Sequence, residues 1–318
     1  MTICHNALLD ETSVRHDGEV ALSSPCGQAG ATTSLLVLGQ GELEETSVAG
    51  GTTVPFGIDP TIPSTARMYD FWLGGKDHFA VDRMAALEVS EAAPEVKMMA
   101  IENRRFLRRA VRYLATEADI TQFLDIGTGL PTQGNVHEVA QQVNPDSRVV
   151  YVDNDPMVLA HSRALKTSGN TAMIEADLRD PAAILAHPRT QALINLQQPL
   201  AVLLVAVLHF IGGEDDPYSI VTSIFDSLPP GSYLVVSHAT GGIPSAASAT
   251  RVEGHYRKNV ASGTTLRSPE EILRFFDKFE LVEPGLVRVT HWHPVEPGGP
   301  DDEKIWLLGA VGRKPGLR

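Results

Sequence analysis

The chain has few cysteines and no long apolar run. Its 318 residues include two cysteines, Cys4 and Cys26, which excludes a disulfide framework and a cysteine-based metal site. The longest apolar stretch, residues 200–211, is shorter than a membrane span and contains His209. Because no basic segment followed by an apolar stretch begins the chain, we expect no secretory signal, no membrane association and a cytoplasmic location.

Basic residues are also scarce relative to acidic ones. The 26 lysines and arginines stand against 39 aspartates and glutamates, for a net charge of −13. A negatively charged protein repels the phosphate backbone, so the sequence argues against broad electrostatic binding of nucleic acid. Five arginines concentrate between Arg104 and Arg112, and their helical spacing predicts a solvated helix face. Apolar residues make up 43% of the chain, enough to bury a sizeable core.

The sequence divides into three predicted parts. Residues 1–54 are rich in Thr, Ser, Gly and Glu without a sustained period, which predicts a disordered tail. Residues 55–118 carry helical periodicity in three segments and predict a helical cap that acts as a lid. Residues 119–318 predict an α/β domain with an insertion at 240–265.

Strands and helices alternate strictly from residue 122 to residue 237. Apolar segments at 122–126, 148–152, 171–175, 201–208 and 232–237 are separated by helical patterns. This alternation predicts a doubly wound, mostly parallel sheet with a Rossmann-like architecture. Two further strands, at 279–289 and 304–312, follow without a helix between them and predict an antiparallel C-terminal edge hairpin.

A glycine-rich loop follows the first strand of this pattern. Asp125 lies near the end of that strand, and Gly127 and Gly129 lie between the strand and the next helix, where open α/β sheets bind their ligands. A dinucleotide fingerprint requires a third glycine, and Thr132 stands there instead. The acid at position 125 suits a ligand that carries an ammonium group beside a carboxylate, as the methionine moiety does.

Acidic residues also end the second and third strands. A carboxylate in the place of Asp153 accepts ribose hydroxyls. Asp177 is placed to accept from an adenine amino group, with Leu178 against the ring. Each acid alone is also compatible with an ordinary loop cap, but three at consecutive strand ends favour an adenosyl ligand.

These motifs together resemble a known family. The loop from Asp125 to Thr132 and the segments 135–138 and 151–156 look like the bacterial S-adenosyl methyltransferase family, which has the class I methyltransferase fold. Segments 66–83 and 102–111 are similar to the amino-terminal signature of that family, although His78 stands where asparagine is more usual. The resemblance covers roughly residues 57–315.

The resemblance implies bound S-adenosylmethionine. It implies that residues 127–130 contact the methionine part, that the residues after the fourth strand flank the methyl group, and that the segment near residues 67–76 folds over the cofactor. Helix packing with a glycine stop is the alternative for that segment. The predicted cofactor-binding residues are Arg67, Tyr69, Gly75, Asp125, Gly127, Thr128, Gly129, Leu130, Asp153, Asn154, Asp177, Leu178, Val207 and Leu208.

The predicted function is an S-adenosylmethionine-dependent methyltransferase that acts on a small-molecule acceptor. The alternatives are a non-catalytic S-adenosylmethionine or S-adenosylhomocysteine-binding regulatory protein and a nucleotide-dependent oxidoreductase. His209 is the candidate general base, and a hydrogen-bonded histidine near the core is its other interpretation. Tyr256 and His255 are weaker candidates for acceptor contact. His291 and His293 lack further ligands, so we expect no metal.

Overall fold

The computed structural model describes residues 58–131, 134–164, 169–241, 246–259, 263–295 and 302–316, together with the backbone of five short strands between residues 13 and 55. Cys4, Cys26, Thr132 and parts of the predicted insertion lie outside the described residues. The chain divides into two compact units, Met1–Pro60 and Thr61–Arg318.

The first unit contains strands where the sequence predicts a disordered tail. The strands are β1 (Ser13–Val14), β2 (Val20–Ala21), β3 (Thr33–Leu38), β4 (Glu42–Ala49) and β5 (Thr52–Pro55). Strands β3, β4 and β5 form an antiparallel sheet in that order. Threonine and valine are frequent in this stretch, and both types favour strands. The division of the chain into a tail, a helical cap and an α/β domain stays a prediction.

The second unit is built on one eight-stranded sheet. Its strands are β6 (Gln122–Ile126), β7 (Arg148–Asp153), β8 (Thr171–Glu175), β9 (Ala201–Val205), β10 (Tyr233–Ala239), β11 (Glu280–Leu281), β12 (Val287–Arg288) and β13 (Leu307–Arg313). The strand order is β11-β13-β10-β9-β6-β7-β8, and β12 also pairs with β13. Strands β6 to β10 are parallel, and β13 runs antiparallel to β10, β11 and β12. The predicted mostly parallel sheet with an antiparallel C-terminal edge is confirmed.

Helices cover both faces of this sheet. They are α1 (Thr65–Leu73), α2 (Ala80–Ala92), α3 (Val96–Thr116), α4 (Val136–Val143), α5 (Pro156–Ala164), α6 (Pro181–Ala186), α7 (Pro188–Leu193), α8 (Pro217–Ser227), α9 (Ala246–Asn259) and α10 (Pro269–Leu273). Successive strand residues alternate between two apolar cores: Leu203 packs with helices α3 and α4, and Leu204 packs with α6 and α8. A doubly wound sheet requires this two-sided burial.

The strand order reverses between β6 and β9, because β7 lies on one side of β6 and β9 on the other. Ligands of open α/β sheets bind at such a reversal, outside the carboxyl ends of the strands. Helices α1 to α3 belong to the same compact unit as the sheet. Among the described residues, none of the helices is both long and apolar enough for a membrane crossing.

Candidate functional site

The loop after β6 is held close to the neighbouring strands. The N–H of Gly127 donates to the carbonyl of Val152 at 2.8 Å, and Gly127 has a φ of 73°. A Cβ at this position would lie 2.5 Å from Cγ2 of Val207, at the end of β9. Only glycine satisfies both the left-handed backbone and this close approach. The loop and the end of β9 are therefore in direct contact at the reversal point.

Asp153 connects this loop to the end of β7. Its Oδ2 accepts the N–H of Gly129 at 2.8 Å, and its Oδ1 accepts the N–H of Asp155 at 2.9 Å. Burial raises the pKa of Asp153 to about 6, although both backbone hydrogen bonds oppose the increase. A backbone hydrogen bond from Asn154 also acts on this carboxylate, which has about four acceptor sites and therefore keeps capacity for a ligand hydroxyl.

Asp125 is buried, with 4% of its surface exposed. Burial raises its pKa to about 6, against the opposing influence of the Arg104 guanidinium and of a hydrogen bond from the Thr128 side chain. The charge of Asp153 contributes a smaller increase. The two carboxyl groups therefore share one poorly solvated region, which favours a cationic ligand group beside Asp125.

The end of β8 joins the same edge through a side-chain contact. Nδ2 of Asn154 donates to Oδ2 of Asp177 at 3.3 Å, and the backbone N–H of Arg179 donates to Oδ1 of Asp177 at 2.9 Å. The Arg179 side chain adds an ion pair at 3.3 Å. Leu178 is 5% exposed and packs in the core beside the strands. Its contact with an adenine ring stays a prediction.

Leu130 and Leu208 are buried within the protein, and Val207 is half-buried. The residue between β9 and Val207, Ala206, has a φ of 57° and donates its N–H to Oγ of Ser237 at 2.9 Å. This turn places Val207 against the glycine loop. The fold thus brings the predicted residues of the glycine loop close to the predicted residue Val207, which follows β9.

His209 follows this turn along the chain and is buried, with 8% of its surface exposed. Its Nδ1 accepts the N–H of Ala239 at 3.5 Å, and its ring centre lies 5.4 Å from that of His238. Burial, reinforced by the positive charge of Arg267, lowers the pKa of His209 to about 3. The ring is therefore neutral at physiological pH and a weak base. Its predicted catalytic role stays a prediction.

The predicted lid residue Arg67 has a partner within the helical cap. Its Nε lies 2.8 Å from Oδ2 of Asp82, with side chains 4% and 0% exposed. The same carboxylate accepts the backbone N–H groups of Ser64 and Phe79 at 2.9 and 2.7 Å. Asp82, which the sequence did not single out, therefore fixes the start of α1 relative to α2.

The other two predicted lid residues also have internal contacts. The hydroxyl of Tyr69 donates to the carbonyl of Ala100 and accepts from Nδ2 of Asn103, both at 3.0 Å. Gly75 leaves room for the side chain of Asp70, since a Cβ there would lie 1.9 Å from its Oδ1. These contacts match the alternative of helix packing with a glycine stop, and direct cofactor contact by Arg67, Tyr69 and Gly75 stays a prediction.

The helical cap nevertheless reaches the strand ends at two points. Oγ of Ser64 donates to Oδ2 of Asp155, directly after β7. Oγ of Ser237 on β10 donates to Oδ1 of Asn103 on α3 at 2.6 Å. No single-sequence pattern marks these residues, because serine and asparagine are common helix-cap and loop types.

Arg104 corrects the prediction of a solvated arginine face. Its Nε is buried and has no hydrogen-bond partner, while its charge acts on Asp125. Arg109 also points inward, where its Nε donates to the carbonyl of Trp292 at 2.8 Å. Arg105 is exposed, as predicted. The arginines of α3 therefore have three different environments: Arg104 acts on Asp125, Arg109 contacts the Trp292 backbone and Arg105 is exposed. Residue type and spacing alone do not distinguish these environments.

The paired histidines near the C-terminus have structural contacts. Nε2 of His291 pairs with Oδ2 of Asp302, and Nε2 of His293 lies 2.8 Å from the carbonyl of Glu283. In the described part of the chain, no three His, Cys, Asp or Glu side chains group in a way that could hold a metal ion.

The side chains at the strand ends fit the predicted ligand. Asp125 offers a buried carboxylate, which suits an ammonium group. Asp153 offers a carboxylate that backbone N–H groups hold in place and that keeps capacity to accept from a ligand hydroxyl. Among the described residues other than its two chain neighbours, none has an atom within 4 Å of the place of a Cβ on Gly129, so the loop is open at that point.

Comparison with known proteins supports this interpretation. The S-adenosyl methyltransferase family matches residues 52–315. A Thermobifida fusca protein described as a methyltransferase is 45% identical, with a TM-score of 0.78, over 82% of this chain and 98% of its own. A DUF574 family protein from Streptomyces avermitilis is 44% identical, with a TM-score of 0.78, over 81% and 99%. None of the curated proteins compared with the chain matches it.

Proposed function

Because the chain belongs to the S-adenosyl methyltransferase family, we propose that it transfers the methyl group of S-adenosylmethionine to a small-molecule acceptor. Membership of this family confirms the predicted cofactor, S-adenosylmethionine. The observation that carries the proposal is the meeting of Asp125, Asp153 and the glycine loop at the reversal of strand order. Ligands of open α/β sheets bind at this position.

The cofactor supplies an activated methyl group on a sulfonium, so the protein mainly binds and orients. Asp153 would hold the ribose, and the loop 127–130 would hold the methionine part. Gly127 lets the backbone pass against Val207, which narrows the site beside the loop. The side chains of Leu130 and Leu208 are buried, and they would exclude water from the inner end of the cofactor site.

The acceptor side is formed by the region after β9. Phe210 is half-buried, and its ring centre lies 5.7 Å from that of Tyr256 on α9. Burial raises the pKa of Tyr256, so its hydroxyl stays protonated at physiological pH. Neutral aromatic groups and a net charge of −13 suit a small acceptor better than a polyanion.

Transfer of labelled methyl groups tests the proposal. The purified chain is incubated with methyl-labelled S-adenosylmethionine and a metabolite extract, and the label is followed into small-molecule, protein and nucleic-acid fractions. We expect label in the small-molecule fraction, and a marked loss of it with Asp153→Ala. Label in the nucleic-acid or protein fraction, or cofactor binding without transfer, would contradict the proposed acceptor class or the enzymatic role.

A further inference from the structure

Arg104 on α3 has a guanidinium group that is partly buried and only partly hydrogen-bonded. Its Nε is buried without a hydrogen-bond partner. Within the described part of the chain, its Nη2 has two long contacts, at 3.5 Å to the carbonyl of Gly134 and 3.4 Å to Oδ1 of Asn135. These two acceptors stand at the end of the glycine loop, directly before α4. The guanidinium is therefore placed beside the loop with donor capacity unused.

Such an arrangement is costly unless a ligand completes it. A buried donor without a partner loses its hydration and gains nothing in return, and the loss is larger for a charged group. The guanidinium carries five N–H donors in a planar fork, a shape that matches a carboxylate. Arg105, one residue further on, pairs with Glu102 and is 62% exposed, which is the ordinary surface arrangement.

The groups around Arg104 identify the ligand end that it meets. Its positive charge acts on the buried Asp125 and on the hydroxyls of Tyr69 and Tyr151. Asp125 is the only carboxylate among these three. One carboxylate and one guanidinium thus lie together beside the loop. An α-amino acid carries the complementary pair of charges, an ammonium and a carboxylate on adjacent atoms.

We propose that Arg104 binds the carboxylate of the amino-acid end of the methyl donor, while Asp125 binds its ammonium group. The inference rests on the proposed function, since it assigns a residue within the same site. It makes Arg104 a determinant of specificity, because the site then selects ligands that keep the carboxylate. The sulfonium, ribose and adenine are bound by other residues.

Calorimetry with two ligands tests this assignment. S-adenosylhomocysteine is compared with its decarboxylated analogue, which keeps the amine and the adenosyl group. A charge-assisted hydrogen bond corresponds to roughly a 10- to 100-fold change in affinity, so the unchanged protein should prefer S-adenosylhomocysteine by that factor. Arg104→Gln should lose affinity for S-adenosylhomocysteine and keep its affinity for the analogue, which removes the preference.

Arg105→Gln is the matched control and should keep the full preference, because its side chain is exposed on the same helix. Arg104→Lys, which restores a positive charge without the fork, should keep part of it. Equal affinity of the unchanged protein for both ligands would overturn the assignment even if no variant folds. Equal loss for both ligands in Arg104→Gln would also overturn it. Failure of the unchanged protein to bind either ligand would instead contradict the proposed function.

Discussion

Replacing Asp125 by asparagine is expected to change how the stability of the protein depends on pH. Burial raises the pKa of this carboxyl group from 3.8 to about 6. One pKa unit corresponds to about 1.36 kcal/mol, so a shift of about two units corresponds to roughly 3 kcal/mol in the free energy of unfolding. The ionised side chain carries this cost in the folded state because too little water surrounds it.

The direction in which the free energy of unfolding changes with pH depends on whether the folded or the unfolded chain binds the proton of Asp125 more tightly. Below about pH 4, Asp125 is protonated in the folded and the unfolded chain, and it contributes no pH dependence. Between about pH 4 and pH 6 the unfolded chain ionises first, so the free energy of unfolding falls as the pH rises. Above about pH 6 the full cost is present. Asparagine does not titrate, so the variant lacks this component.

Urea denaturation of both proteins at about pH 4.5 and about pH 7.5 measures the effect. The difference in unfolding free energy, variant minus unchanged protein, should shift by about 2 kcal/mol in favour of Asp125→Asn between these pH values. Asp153 titrates in both proteins, so its contribution largely cancels in the difference between their unfolding free energies. Asp226→Asn is the control, because the Asp226 side chain is 61% exposed and its pair with Lys278 is a surface pair. A difference that does not change with pH would refute the reasoning.

Four further substitutions test other residues of the site and of the helical cap. Asp153→Ala should weaken S-adenosylhomocysteine binding by about 1–3 kcal/mol in calorimetry, and unchanged affinity would remove Asp153 from the site. Gly127→Ala should lower the unfolding free energy by roughly 2–5 kcal/mol, because the new methyl group meets the Val207 side chain at 2.5 Å and the backbone, with a φ of 73°, also strains an alanine. Gly129→Ala should cost only the backbone strain, about 1–2 kcal/mol, and equal losses would contradict the role of the overlap. Asp82→Ala should cost about 3–5 kcal/mol in thermal or urea unfolding, because it leaves Arg67 buried and unpaired; a loss below about 1 kcal/mol would show that the pair is dispensable.

Local chemistry made the order and type of most elements predictable. The pattern Ser268-Pro-Glu-Glu predicts a capped helix, and the structure has both reciprocal hydrogen bonds, at 3.2 and 2.8 Å. The buried strand β9 is a continuous apolar run of the kind that a sheet covered on both faces accommodates. The sequence did not predict α7 as a separate helix. Pro181 starts α6 and Pro188 starts α7, so two short helices lie where the sequence predicts one.

The predicted strand 279–289 is divided in the structure. It forms β11 and β12, each of two residues, on either side of a turn at Gly285, where φ is 84°. Pro284 has no N–H to donate to a ladder, so a continuous strand cannot form through it. Apolar residues on both sides masked this interruption, although proline and glycine together are a sequence signal for a turn.

The part of the site that sequence patterns missed is a chain of polar contacts between distant elements. It runs from Tyr69 on α1 to Asn103 on α3 and on to Ser237 on β10, whose hydroxyl also accepts the N–H of Ala206 beside the loop. Each member satisfies the next, and buried polar groups without partners are costly. Breaking one contact therefore disturbs the others. Because Arg104 follows Asn103 directly in α3, the same chain fixes the position from which its guanidinium reaches the glycine loop. The helical cap is thus connected to the sheet through hydrogen bonds that no local pattern encodes.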